Sequence, residues 1–396
     1  MENISNSQRI KRPWYFTTLI LFMVPLAGMG IDVYTPSLPT FTIALHTSMQ
    51  LAKLTLPMYL LGYAVGPLLF GTLSDKHGRK KVLAYGMVFY IISCVLIIAF
   101  ANIWFILGMR FIQGFAIGSS GAIYKAMITD TYDSGNEIRK MVAMTSAVWA
   151  LGPIAAPFIG GYLQHYFGWQ ANFIFLLIYA ILILISLFFI PETNMQRICL
   201  NWPTILRNYR TVIAHPIFWS SIICMGMVYS LIVIFNIVGP FLIQMVLHYS
   251  AVQFGHIALV MGLAFFVGSL LNRLFVQRFS SHFLIVMSLS LMLIISVVML
   301  LLGVFFAVNL YFYTVPVFLV FFFSAFTFPT SMARAMSLFP KIAGSANALV
   351  SCLFLVFTGL TTIIASFFVS SNQITSAIAY VVLIFLGLLA YLLLNK

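Results

Sequence analysis

Acid is scarce in this chain. Its 396 residues include seven Asp and Glu against 20 Lys and Arg, and no acidic residue follows Glu192. Charged residues of both signs reach only 7%, where soluble domains carry about 25%. So little charge cannot cover a globule with polar surface. The four cysteines (Cys94, Cys199, Cys224 and Cys352) lie far apart with no CxxC or metal-ligand spacing, so packed or free thiols are expected, not a disulfide framework or a metal centre. The seven histidines are equally scattered. The chain has no GxxxxGK[ST] loop, no HExxH and no GxSxG, and no pair of intramembrane acids, which argues against ATP use and against a membrane enzyme.

What fills the chain is hydrocarbon. Apolar residues make up 62%, arranged in continuous runs of about 20 residues, enough to cross the ~30 Å bilayer core. Their continuity, without alternation, argues against a β-barrel. The expected fold is an all-α integral membrane protein with twelve transmembrane helices in two six-helix halves. The spans are placed at 14–36, 50–72, 82–100, 103–125, 142–164, 171–190, 216–238, 253–275, 283–305, 310–331, 343–369 and 375–394. Residues 1–193 form the first half, 194–215 a linker, and 216–396 the second half.

The formal charge of +13 is read through its distribution, which points to the lipid bilayer and not to nucleic acid. Fifteen of the 20 Lys and Arg fall on connections at the amino-terminal side, and the opposite connections hold none. By the positive-inside rule both termini and the linker are cytoplasmic in a cell (inner or plasma) membrane. Arg9, Lys11 and Arg12 precede an uncharged segment without a small-residue cleavage site, so the first span is expected to remain uncleaved.

A weak repeat supports two parallel halves. "SMQLAKLTLPMYLLGYAVGPLL" from Ser48 and "SAVQFGHIALVMGLAFFVGSLL" from Ser250 carry Val-Gly-x-Leu-Leu at the same offset, and Asp32 with Pro36 is echoed by Asn236 with Pro240. In such arrangements small molecules bind between the repeats near the bilayer midplane.

One acid falls within a span. Glu2, Asp75, Asp130, Asp133, Glu137 and Glu192 all sit at or beyond cytoplasmic helix ends, leaving Asp32. A carboxylate in hydrocarbon is costly, so Asp32 is expected to line a cavity or relay protons. The alternative is a polar end-group: a helix entering at Trp14 and rising ~1.5 Å per residue puts Asp32 ~27 Å up, close to the far side. Arg110, about two turns into the fourth span, needs carbonyls, a carboxylate or water around it. Lys125, near the cytoplasmic end of that span, is expected to snorkel, the alternative being contact with an anionic substrate.

Three motifs stand out. "GTLSDKHGRKK" (71–81) joins the second and third spans. There Gly71 would let a neighbouring backbone approach, Gly78 would take a positive-φ turn, Asp75 would face a helix N-terminus, and Arg79 with its basic neighbours would fix topology. "RFIQGFAIGSSG" carries Arg110, Gln113 and Gly114. "GPIAAPFIGG" carries Gly152, Pro153, Pro157, Gly160 and Gly161, which would bend the fifth helix and give it a small-residue packing or gating face.

These motifs resemble those of the major facilitator superfamily, and the resemblance covers the whole chain. "DVYTPSLP" at 32–39, "FGW" at 167–169 and "PET" at 191–193 resemble the Bcr/CflA branch of drug and metabolite efflux proteins. Departures from the branch pattern are Lys125 and Thr129 before Asp130, and Thr330 after Pro329. The resemblance implies a proton-coupled secondary transporter, an exporter of a small amphipathic molecule, working by rocking of the two halves. An importer of a metabolite or siderophore shares the fold; a channel is the third alternative. It implies no cofactor beyond the proton gradient, a monomer, and a proton-coupling set of Asp32, Arg110 and Gln113. For substrate contacts the candidates are Tyr34, Tyr59, Tyr63, Trp149, Asn236 and Asn272, because aromatic faces and a few amides suit bulky, partly apolar molecules; Tyr59 and Tyr63 share a helix face.

Overall fold

The computed structural model describes residues 15–132, 135–194, 202–368 and 372–395. Glu2, Arg9, Lys11, Arg12, Asp133, Arg197, Cys199 and Lys396 of the sequence reading lie outside the described residues.

Proline breaks the first span into three pieces. Helix α1 (Tyr15–Met23) is followed by α2 (Leu26–Asp32), a 3-10 turn over Thr35–Ser37, and α3 (Leu38–Ala44). Pro25, Pro36 and Pro39 stand at the joints, where a missing N–H does least harm. The span therefore runs to Ala44 and does not end at residue 36. The second begins with a short α4 (Met49–Lys53) and continues as α5 (Thr55–His77). Ser48 caps α4 by accepting from Leu51 N–H, and its repeat counterpart Ser250 caps α12 (Ala251–Phe275) in a full capping box with Gln253, satisfying N–H groups that a helix start leaves free.

The remaining elements are α6 (Arg79–Ala99), α7 (Ile103–Thr131), α8 (Gly135–Phe167), α9 (Gln170–Ser186), α10 (Trp202–Ile213), α11 (Pro216–Phe241), α13 (Ser281–Phe305), α14 (Leu310–Ser337), α15 (Ala343–Ser366) and α16 (Gln373–Leu394). A π-helical turn, Leu242–Val246, extends α11. Among the described residues, eleven helical segments are long and apolar enough to cross a membrane. The 33-residue α8, whose first turns carry Glu137, Arg139 and Lys140, packs among them. No strand occurs among the described residues.

Small residues set the closest packing. Helices α5 and α7 lie against each other through Gly62 and Gly66 on one side and Gly114 and Gly118 on the other; a Cβ on any of these would overlap the partner's backbone. The repeat is visible here. Gly66 rests on the Phe115 carbonyl of α7, and Gly268, its equivalent in α12, rests on the Phe322 carbonyl of α14. Phe89, Ile178, Val298 and Phe385 point outward and are 52, 52, 46 and 53% exposed, a surface that suits lipid and not water. Gly71 departs from expectation. Its nearest outside atom is 3.8 Å from where a Cβ would stand, so no neighbouring backbone approaches it.

The halves meet through α8 with α12 and through α5 with α15. Along the first pair, Ile154 meets Gly262, Pro157 meets Gly255 and Gly161 meets Ala251. These contacts run from mid-helix to the end opposite the basic connections, so the bundle is sealed at that far end.

Candidate functional site

Asp32 ends α2, and the chain turns there into the 3-10 segment. Thr35 steadies the break by donating its hydroxyl to the Asp32 carbonyl at 2.8 Å. The residue is 4% exposed, and its carboxyl group accepts a hydrogen bond from the Asn236 side-chain amide of α11 at 2.7 Å. That bond crosses between the halves. Both residues line a cavity between the halves. Because the first span reaches Ala44, Asp32 sits near its middle and lines the cavity, not the far interface that was the alternative.

Apart from Asp32 and Asn236 the lining is apolar and aromatic. Trp149, Pro153, Ile154 and Pro157 come from α8, Tyr229, Ile232, Val233 and Phe235 from α11, Gly262 and Phe265 from α12, and Phe321 and Phe328 from α14. Asp32 is the only charged residue among them. Of the residues proposed from sequence for substrate contact, Trp149 and Asn236 belong to this wall; Tyr34, Tyr59, Tyr63 and Asn272 do not. Asn272 is paired with Thr330 at 3.3 Å. The wall residues Tyr229, Ile232 and Val233 were missed, although they fall seven, four and three residues before Asn236, the spacing of one helix face.

Arg110 has a separate setting. It is fully buried, and its guanidinium donates to the carbonyl of Gly30 at 2.9 Å, to that of Thr55 at 3.3 Å, and to the Gln113 side-chain oxygen. The Tyr34 and Tyr59 rings lie 4.4 and 4.5 Å from it, a stack that suits a planar cation. Gln113 passes its other face to the Cys94 thiol, Tyr34 bonds Thr55, and Tyr59 bonds the Ala27 carbonyl. Arg110 thus ties the first, second and fourth spans together two residues from Asp32, through Gly30, without bonding the carboxylate.

At the basic end, Gly78 adopts φ +103° between α5 and α6, as its position predicts. Arg79 bonds Asp130 at 2.9 Å, Ser74 at 2.7 Å, and Asp75. The acid at the N-terminus of α6 is Glu192, which accepts from the N–H groups of Arg79 and Lys80 at 2.8 and 3.1 Å. Asp75 therefore serves the Arg79 side chain instead of a helix pole. The "PET" stretch and the 71–81 loop form one unit, which Asn194 closes by donating to the Ser74 and Asp75 carbonyls.

On the fifth-span motif, Gly152 packs on Pro25, Gly160 on the Val33 carbonyl, and Gly161 on the Ala251 carbonyl of the other half. Pro153 fits against Gly28. This face holds α8 between the broken first span and α12.

Residues 20–356 match the family model described as Major Facilitator Superfamily. The chain is 25% identical over 356 residues to a bicyclomycin resistance protein homolog of Haemophilus influenzae, covering 87% of this chain and 86% of that one. It is 24% identical over 356 residues to multidrug resistance protein D of Escherichia coli, covering 90% and 89%. With an uncharacterized transporter of Rickettsia bellii, 27% identical, the alignment spans 67% of this chain and 65% of the relative. A crystal structure of a bacterial homolog to the human lysosomal transporter Spinster, in an inward-facing and occupied conformation, superposes with a TM-score of 0.75 at 15% identity over 98% of both chains.

Proposed function

The chain belongs to the Major Facilitator Superfamily, and on that footing we propose that this transporter is a proton-coupled exporter of small amphipathic molecules, drugs or metabolites. The observation that carries the reading is the Asp32 carboxyl, enclosed in an otherwise uncharged aromatic cavity and bonded across the halves to Asn236. The relatives named for bicyclomycin and multidrug resistance support export.

An ionised Asp32 accepts a charge-assisted bond from the Asn236 amide, stronger than the bond its neutral form accepts. Protonation weakens that bond, and with it one tie that keeps the far end shut. Bulky, partly apolar cargo fills the space between Trp149, Tyr229, Phe265 and Phe328, and meets a single polar pole at Asp32. A proton arriving from the far side neutralises the carboxyl and releases cargo there; the return of the halves delivers the proton to the basic side. On this reading the basic end and both termini are cytoplasmic, the membrane is the inner or plasma membrane, and one chain suffices.

The test is Asp32→Asn in reconstituted vesicles. Uptake driven by a proton gradient into inverted vesicles should vanish, while expression and downhill movement persist. Unchanged gradient-driven uptake by the variant overturns the proton step, and accumulation in right-side-out vesicles in place of inverted ones overturns export.

A further inference from the structure

Lys53 ends the short helix α4 and is 1% exposed, the only lysine so enclosed among residues whose burial is described. Its ammonium donates to the Phe368 carbonyl at 2.8 Å and stands 5.5 Å from the centre of the Phe241 ring. Phe368 lies just past the C-terminus of α15, where unpaired carbonyls and the negative pole of a helix gather. Phe241 ends α11, at the start of the π-helical turn. Both belong to the second half and Lys53 to the first. The contact closes the same seam as Asp32 with Asn236 and the Gln244 side-chain amide with the Pro36 carbonyl, at its far end.

Among the described residues no carboxylate serves this ammonium. Among the described acids, Asp75, Asp130, Glu137 and Glu192 lie at the basic end, and Asp32 is bonded to Asn236. A buried cation with one neutral acceptor and one ring regains less than the hydration it gives up. Water restores the difference only when the seam parts. We propose that Lys53 is the release element of the far gate, a positioning residue whose trapped charge holds the closed seam near balance with the open one. A plain apolar residue here would close the seam too well.

This inference rests on the rocking of halves proposed above, but not on the proton step. It is tested on the purified full chain with Cys94, Cys199, Cys224 and Cys352 replaced by Ala, and with spin labels at Ile43→Cys and Phe305→Cys, exposed near the far ends of the two halves. Distance distributions are measured without substrate or pH gradient. Lys53→Met should shift the populations toward the short, closed distance by about tenfold, whereas Lys53→Arg should keep both. An unchanged ratio in Lys53→Met, a shift toward the open distance, or the same shift in Lys53→Arg would each overturn the proposal. If Lys53→Met does not fold, Lys53→Gln is read in the same way. Failure here leaves the Asp32 reading standing, and failure of Asp32→Asn leaves this one.

Discussion

The Asn236 amide donates to the Asp32 carboxylate at 2.7 Å, and these two residues stand at matching places in the sequence repeat. A pair related by the internal repeat has become a bond between the halves. Hydrogen bonds to charged groups contribute about 1.5–3 kcal/mol, or roughly 10- to 100-fold in an equilibrium. At a pH where Asp32 is ionised, Asn236→Ala should therefore move the far gate toward the open form by a factor in that range, read as a longer distance between labels on the two halves. A distribution identical to that of the unaltered protein would show that the bond does not hold the seam.

Proton stoichiometry gives a second check. If cargo and proton exclude each other at Asp32, binding releases about one proton at a pH where the free site is protonated. The sign is fixed: affinity rises with pH as the carboxyl ionises, and falls as pH drops through its titration. Calorimetry in buffers of different ionisation enthalpy, with a ligand found by thermal stabilisation, should show this release. Asp32→Asn should show none, with affinity flat in pH.

Arg110→Lys keeps the charge but loses the fork and the flat stack between Tyr34 and Tyr59. The Gly30 and Thr55 carbonyls and Gln113 would compete for a smaller donor set. The expected loss is about 3 kcal/mol of stability, seen as a melting temperature lower by several degrees in detergent. The pH profile of transport should stay in place. A displaced profile with unchanged melting would assign Arg110 to proton handling instead of to joining three spans.

The bundle was legible in the sequence because run length and charge placement are set residue by residue against the bilayer. Asp32 stood out for the same reason, as the one acid inside a span. Its depth stayed open between a cavity and the far interface, because the sequence does not say whether Pro36 and Pro39 end the helix; the fold carries the span on to Ala44. Tyr34 and Tyr59 were read as cargo contacts. Their rings lie against Arg110, and only tertiary structure decides which of many aromatics faces a cation. Lys53 drew no notice because a lysine near a span end ordinarily reaches water. Its burial depends on Phe368, more than 300 residues away in sequence. Glu192 looked like a loop residue until folding brought it onto the first turn of α6.

The glycine contacts between α5 and α7 have a mechanical consequence. With Gly66 and Gly118 backbone against backbone, these spans have no room to slide past each other along that line, and the Phe70–Phe115 and Tyr59–Arg110 contacts flank it. The second and fourth spans should then move together when the halves rock. The rings that line the cavity from α11 and α14, Tyr229, Phe235, Phe321 and Phe328, stand outside this close-packed pair, so a stiff lever works beside a wall whose side chains are free to turn.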